Sequence, residues 1–164
     1  MASIPQKIAP SSNPYLKALQ WGGWRWDDGA AAGTNITYYF GPSGVSLDGI
    51  GTSIAWTTVQ QDAYKAALQQ WANVANISFT QVFAPNQADL IEYVYSSAGS
   101  GLLGIHQTPQ DAAEGDGTAA GAYNVSGTGF TSSGLIAGGQ GFATLVHEIG
   151  HALGLAHPHD TGGG

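Results

Sequence analysis

The chain contains no cysteine, so neither disulfide stapling nor thiol chemistry contributes to it. Lysine and arginine together number 4 in 164 residues, against 11 aspartates and glutamates, giving a formal net charge of −7. That balance excludes nucleic acid and anionic membrane as partners, since both recruit a surplus of basic side chains. It suits an extracellular, calcium-rich setting. No run of about 18 apolar residues occurs, which excludes a membrane-spanning helix. The start, MASIPQKIAPSSNPYLKAL, has neither an uninterrupted apolar stretch nor a small-residue cleavage site, so it is no ordinary export signal. Met1 is the sole methionine. No G-x-S-x-G elbow is present, and with cysteine absent the nucleophilic hydrolase routes lack their nucleophile.

What remains is a chain long enough for one domain with a real core. Hydrophobic residues make up 43%, and 25 glycines beside only 9% charged residues point to a loop-rich body rather than a helical bundle. Residues 1–14 hold three prolines and three serines and read as an extended leader; residues 15–164 form the body. Trp21, Trp24 and Trp26 cluster next, a pattern that offers a sugar or peptide site or, more commonly, an anchor onto the body; we read it as an anchor. Strands are expected at Asn35–Phe40, Ile77–Val82, Leu90–Tyr95, Leu102–Gln107 and Thr118–Asn124. Val45–Trp56 and the acidic stretch after Pro109 read as loops. The best core helix starts at a capping box over Thr58–Gln61 and repeats Tyr64, Ala67, Leu68, Trp71, Val74 and Ala75 at helical spacing. The glycines before Leu102–Gln107 and the proline after it mark that strand as an exposed edge. His106 within it is either a metal ligand or, more commonly, a solvated or hydrogen-bonded edge histidine. Asp111, Glu114 and Asp116 could supply oxygen ligands to Ca2+ or form a solvated loop.

The chemistry concentrates in FATLVHEIGHALGLAHPHD, residues 142–160. His147, Glu148, His151, Gly154 and His157 follow the order H-E-x-x-H-x-x-G-x-x-H, which suits three histidine ligands to zinc and a built-in carboxylate base. Chance supplies such a set in a chain of this composition on the order of once in 100,000. On a helix His147 and His151 stand about 40° apart around the axis and about 6 Å along it, close enough to share one ion. Glu148 is turned away from the ion but can reach a water in the remaining coordination position, the place of a general base. His157 on a continued helix would point away from the metal, so the helix must end at Gly154, where glycine alone takes a positive φ freely. Asp160 can orient a ligand imidazole as an outer hydrogen-bond acceptor, or simply open the next turn.

HEIGHALGLAHPHD resembles the active-site segment of the metzincin metalloproteases and, among them, of the serralysin group of secreted bacterial proteases. AALQQWANVANISFTQV resembles their first long helix and following strand, and ALQWGGWRWDDG their opening segment. The resemblance implies an α+β, zincin-like fold: a twisted, mostly parallel sheet with an antiparallel edge strand, packed on a long helix and the zinc-binding helix. It implies a zinc endopeptidase acting on protein or peptide substrates, secreted by a signal at the far end of a longer chain. His147, His151 and His157 would then hold Zn2+ and Glu148 would be the base. Leu103, Gly104 and Ile105 would line the upper rim, where a substrate adds as an antiparallel strand. The methionine-containing turn and C-terminal subdomain of such enzymes are absent, so residues 15–164 match an N-terminal subdomain. Two alternatives follow: a half-domain that binds zinc or a complementary C-terminal chain without turnover, and a zinc hydrolase of another polymer hinted at by the tryptophans.

Overall fold

The computed structural model describes residues 3–9, 11–30 and 33–160. Along the chain run β1 (Ile4–Lys7), α1 (Pro14–Lys17), β2 (Trp24–Asp27), β3 (Thr34–Phe40), β4 (Ser46–Leu47), β5 (Gly51–Ile54), α2 (Thr58–Ala72), β6 (Ile77–Gln81), β7 (Leu90–Tyr95), β8 (Gly104–His106), α3 (Pro109–Glu114), β9 (Ala119–Asn124) and α4 (Gln140–Ala152).

Helix α2 forms where the apolar spacing places it. Its capping box lies one residue before the expected one: the Gln60 amide donates to Thr57 Oγ1 at 3.3 Å, and Gln60 Oε1 accepts from the Thr57 amide at 2.9 Å. The run Thr57-Thr58-Val59-Gln60-Gln61 offers the same pattern in two registers, and local sequence does not separate them. Ala63, Tyr64, Ala67 and Leu68 form the buried face. The helix ends at Ala72, so Val74 falls beyond it, 78% exposed rather than in the core.

The main sheet is mixed and mostly parallel. Strand β3 pairs in parallel with β6 on one side and with the first half of β7 on the other. β7 runs parallel to β9 along its whole length, and β8 closes that edge antiparallel to β9. Leu90–Tyr95 is thus the central strand its nearly continuous apolar character implies. The second half of β7 takes β5 instead of β3, antiparallel. This corrects the expected loop at Val45–Trp56, which contains the hairpin β4–β5. Glycine-rich sequence hides the strand; what fixes it is Ser53, whose backbone donates to Val45 O and whose hydroxyl donates to Pro42 O. The stretch after Pro109 is likewise not a loop but α3. Proline at the first helical position needs no amide partner, and Asp111 closes the start by accepting from the Thr108 amide and hydroxyl at 2.6 and 2.8 Å.

Of the leader over residues 1–14, Ile4–Lys7 forms β1, antiparallel to β2; Met1, Ala2 and Pro10 lie outside the described residues, as do residues 161–164. Ser3 donates through Oγ to the buried Asp89 carboxylate and to Asn35 O, both at 2.9 Å. Helices α2 and α4 pack together against the sheet, with Tyr64, Leu68, Leu90, Val94, Leu145 and Ile149 buried between them. Two indoles tie this layer to α4: Trp71 Nε1 donates to Val146 O at 3.0 Å, and Trp26 Nε1 donates to Ala152 O at 2.8 Å. Trp26 is therefore an anchor, as the tryptophan cluster implies. Replacing Trp26 with Phe keeps most of the apolar contact but removes the donor. Urea unfolding should show a loss of about 1–3 kcal/mol, and an unchanged midpoint would mean that the indole bond carries nothing.

Candidate metal centre

Helix α4 presents His147 and His151 one turn apart, with Glu148 between them. Beyond its C-cap, Leu153, the chain turns at Gly154, whose φ is +94°. A side chain there is excluded twice over, by the backbone angle and because a Cβ would lie 2.3 Å from Trp24 O. The turn is then clamped by the opposite end of the chain. Trp21 donates its amide to Gly154 O, and Ala156 donates to Leu19 O, both at 2.9 Å, with Gln20 bridged to Leu155. His157 follows directly and swings back toward the helix.

The three imidazoles converge. Nε2 of His147 lies 3.0 Å from Nε2 of His157, and Nε2 of His151 lies 3.2 Å from each of the other two. Three nitrogens around a tetrahedral ion at about 2.0–2.1 Å stand roughly 3.3–3.4 Å apart, so the triangle is close to ligand size. The far nitrogens fix the tautomers. His151 Nδ1 donates to Leu155 O at 2.8 Å, and His157 Nδ1 donates to Asp160 Oδ2 at 3.0 Å. With Nδ1 carrying the proton, Nε2 of both rings presents a lone pair to the shared centre. Lone pairs aimed at one another at this distance repel unless a cation lies between them, and the donor set therefore fits a divalent metal. Burial, reinforced by the charges of His151 and His157, pushes the His147 pKa down and favours the neutral ring that ligation requires.

Asp160 does both things open to it. It accepts from the His157 amide and ring through Oδ2, and its own amide donates to His157 O to close the turn. Those bonds, the backbone one foremost, hold its carboxyl below the ordinary range. Glu148 is only 8% exposed, and burial raises its carboxyl pKa above the ordinary range; the positive fields of His106 and His157 partly offset this, while Glu92 adds to it. It faces a cleft of about 500 Å³, lined also by Trp21, Ile105 and Thr108. A second hollow of about 470 Å³ behind the helix end has Arg25 and Asp27 as its charged lining, and they pair with each other at 2.7 Å.

The rim residues separate. Gly104 and Ile105 line the cleft, whereas Leu103 lies off it with its carbonyl taken by the Asn124 amide. Since Leu103 and Gln107 spend their backbone groups on β9, alternation leaves the N–H and C=O of Gly104 and His106 facing the free edge. Gly104 also abuts Glu148, where a Cβ would sit 2.7 Å from Cγ. His106 is hydrogen-bonded, but buried rather than solvated. Asp111, Glu114 and Asp116 are each engaged locally, by Thr108, Gln110 and Thr118. Among the described residues they form no shared ligand cluster; the clusters present are His147, His151 and His157, and the overlapping His157, His159 and Asp160. Sequence reasoning missed Trp21 as a cleft wall and Glu92 as the partner of His106.

No family model matches the chain. Among curated proteins it is 31% identical over 155 residues to serralysin from Photorhabdus sp. (strain Az29), covering 91% of this chain and 31% of that protein. It is 35% identical over 133 residues to serralysin A from Dickeya chrysanthemi, covering 79% of this chain and 28% of that protein. Metallopeptidase AprA from Pseudomonas marginalis is 33% identical over 134 residues, with 79% and 28% covered. The chain is a homologue of the serralysins. It spans less than a third of the length of these relatives. Two structures of myroilysin share its fold, with TM-scores of 0.53 and 0.51 at 20% and 18% identity, over 81% and 93% of this chain and 52% and 50% of theirs. The α+β architecture with a mixed sheet agrees with these neighbours. Among the described residues no helix of this serralysin homologue is long and apolar enough to cross a membrane.

Asp160→Asn keeps the shape of the side chain but weakens its hold on the His157 ring. Competition with a chromophoric chelator should show zinc affinity lower by about 10–100-fold, and equal affinity would reduce Asp160 to a turn residue.

Proposed function

We propose that this chain is the zinc-binding half of a secreted metalloendopeptidase, with His147, His151 and His157 as ligands and Glu148 as general base. The observation that carries the reading is the convergence of three Nε2 atoms beside a poorly solvated carboxyl group, in a cleft bounded by a free strand edge. When bound, zinc supplies Lewis acidity, polarising a carbonyl and lowering the pKa of water from 15.7 toward about 7. The chain's own residues supply the rest. A peptide laid antiparallel on β8 pairs its backbone with the outward groups of Gly104 and His106, which selects an extended substrate with little regard to side chains. Gly104 brings that strand against Glu148. The Glu148 carboxylate takes a proton from the attacking water and returns it to the departing amine, and its raised pKa suits it to hold the proton between the two steps. No covalent intermediate with the chain is required. Zinc as the metal rests on the nitrogen donor set and tetrahedral-scale spacing. Location outside the cell rests on the serralysin homology and on the acidic composition.

The test is peptide hydrolysis and metal content measured together. Glu148→Ala should lower turnover of an unstructured peptide by about 10²–10⁴-fold while one zinc stays bound. Retained turnover would sink the general-base role. Zinc bound without turnover in the unmodified chain would favour the half-domain that binds metal alone.

A further inference from the structure

Sheet register sets three residues of neighbouring strands in one row: Glu92 of β7 faces Gly121 of β9, and Gly121 faces His106 of β8. Two strand spacings separate the backbones of Glu92 and His106 by roughly 10 Å. Their side chains meet only because Gly121 is bare; a Cβ there would lie 2.4 Å from Glu92 Oε2 and 2.4 Å from His106 Cδ2. His106 Nε2 is 3.0 Å from Glu92 Oε1, and both side chains are wholly buried.

The other ring nitrogen decides the charge. His106 Nδ1 lies 2.6 Å from the Gln107 carbonyl, which can only accept, so Nδ1 carries a proton. Nε2 faces a carboxyl group. With Nδ1 protonated, a ring lacking a proton on Nε2 would set its lone pair against those of Glu92 Oε1 at 3.0 Å, so Nε2 donates as well. The buried hydroxyls of Tyr64 and Tyr123 have no hydrogen-bond partner among the described residues, and neither has Glu92 Oε2; burial first, then the charge of Glu92, pushes the two phenols well up. His106 then donates at both nitrogens and is an imidazolium. Burial alone would disfavour that cation, but the charge and hydrogen bond of Glu92, the Gln107 carbonyl and the more distant Glu148 outweigh it. The groups facing it are thus Glu92 from β7, Tyr123 from β9, Tyr64 from α2 and Glu148 from α4.

Strand β8 has three residues and one neighbour. So short an edge frays readily unless something besides its ladder holds it. We propose that His106 is a doubly protonated positioning residue, clamped between Glu92 and Gln107 across Gly121, which pins the rim strand at the height where a substrate strand would pair. The substrate part rests on the endopeptidase reading above; the clamp does not.

Nitrogen NMR of the zinc-loaded protein, recorded about one pH unit above the ordinary imidazole value of about 6.5, should find both His106 ring nitrogens protonated. One unprotonated ring nitrogen would overturn the proposal. His106→Leu alone strands the Glu92 charge and risks unfolding, so the pair replacement Glu92→Leu with His106→Leu is the companion variant, because an apolar pair often replaces a buried ion pair without loss of stability. In the folded pair variant, exchange of the Ile105 amide should quicken about tenfold. The Michaelis constant for an unstructured peptide should rise about tenfold, with the loss carried by KM rather than kcat. Unchanged exchange in the pair variant would equally overturn the clamp. A protein that cleaves no peptide would count against the proposed activity alone, since ring protonation and exchange decide the clamp without turnover.

Discussion

Three imidazole Nε2 atoms lie within 3.2 Å of one another, two of them with the lone pair turned inward, a donor set that a cation would draw together. Much of the surrounding structure serves to hold that arrangement before any ion arrives. Two of the rings have their protons pinned on Nδ1 by Leu155 O and Asp160 Oδ2, so tautomer and orientation are fixed together. Helix α4 supplies His147 and His151 from one face, and that face stays fixed because Trp71 and Trp26 donate to carbonyls along its length and end. Preorganisation of this kind places the cost of ordering the ligands on folding, which leaves more of the coordination energy for affinity.

The convergence of the three histidines was legible in sequence because its geometry is local: spacing on one helix, a glycine where the helix must stop, a histidine beyond it. The central strand, the long helix and the exposed edge were legible from periodicity and turn residues. What escaped was decided by tertiary contact. The hairpin β4–β5 exists because Ser53 is gripped by Pro42 and Val45 and because β7 leaves half of one edge open. The helix α3 was signalled by Thr108, Pro109 and Asp111, a cap signature overlooked beside its glycines. Leu103 shows the limit of a strand assignment without register: one residue's shift decides whether a carbonyl faces substrate or sheet.

Glu92 illustrates a readable signal of another kind. In LIEYVY it shares its face with Leu90 and Val94, both fully buried. An acid at a core position of a central strand demands a partner, and the sequence offered one in His106, on the edge strand two places across. Pairing them required knowing that Gly121 stands between, a fact of register rather than composition. The fold thus keeps two carboxylates near the cleft in opposite conditions. Glu92 pairs with His106 at 3.0 Å, while Glu148 has no hydrogen-bond partner among the described residues and lines the cleft. A proton carrier needs that lack of partners, and a structural charge cannot tolerate it.

The third histidine exposes the dependence of the site on chain topology. His157 lies outside every helix and strand, and a turn of this length has little stability of its own. It is held by Leu19 and Trp21, more than 130 residues earlier, through a short antiparallel bridge, while the Trp24 carbonyl leaves no room for a side chain at Gly154. The same opening segment is braced by β1 against β2, and through Ser3 by Asp89 beside the sheet. Changes near the N-terminus therefore reach the histidine cluster by a path of hydrogen bonds through β1, β2 and the turn that precedes His157. On this argument the opening segment belongs to the metal site as a support, although none of its residues is a ligand.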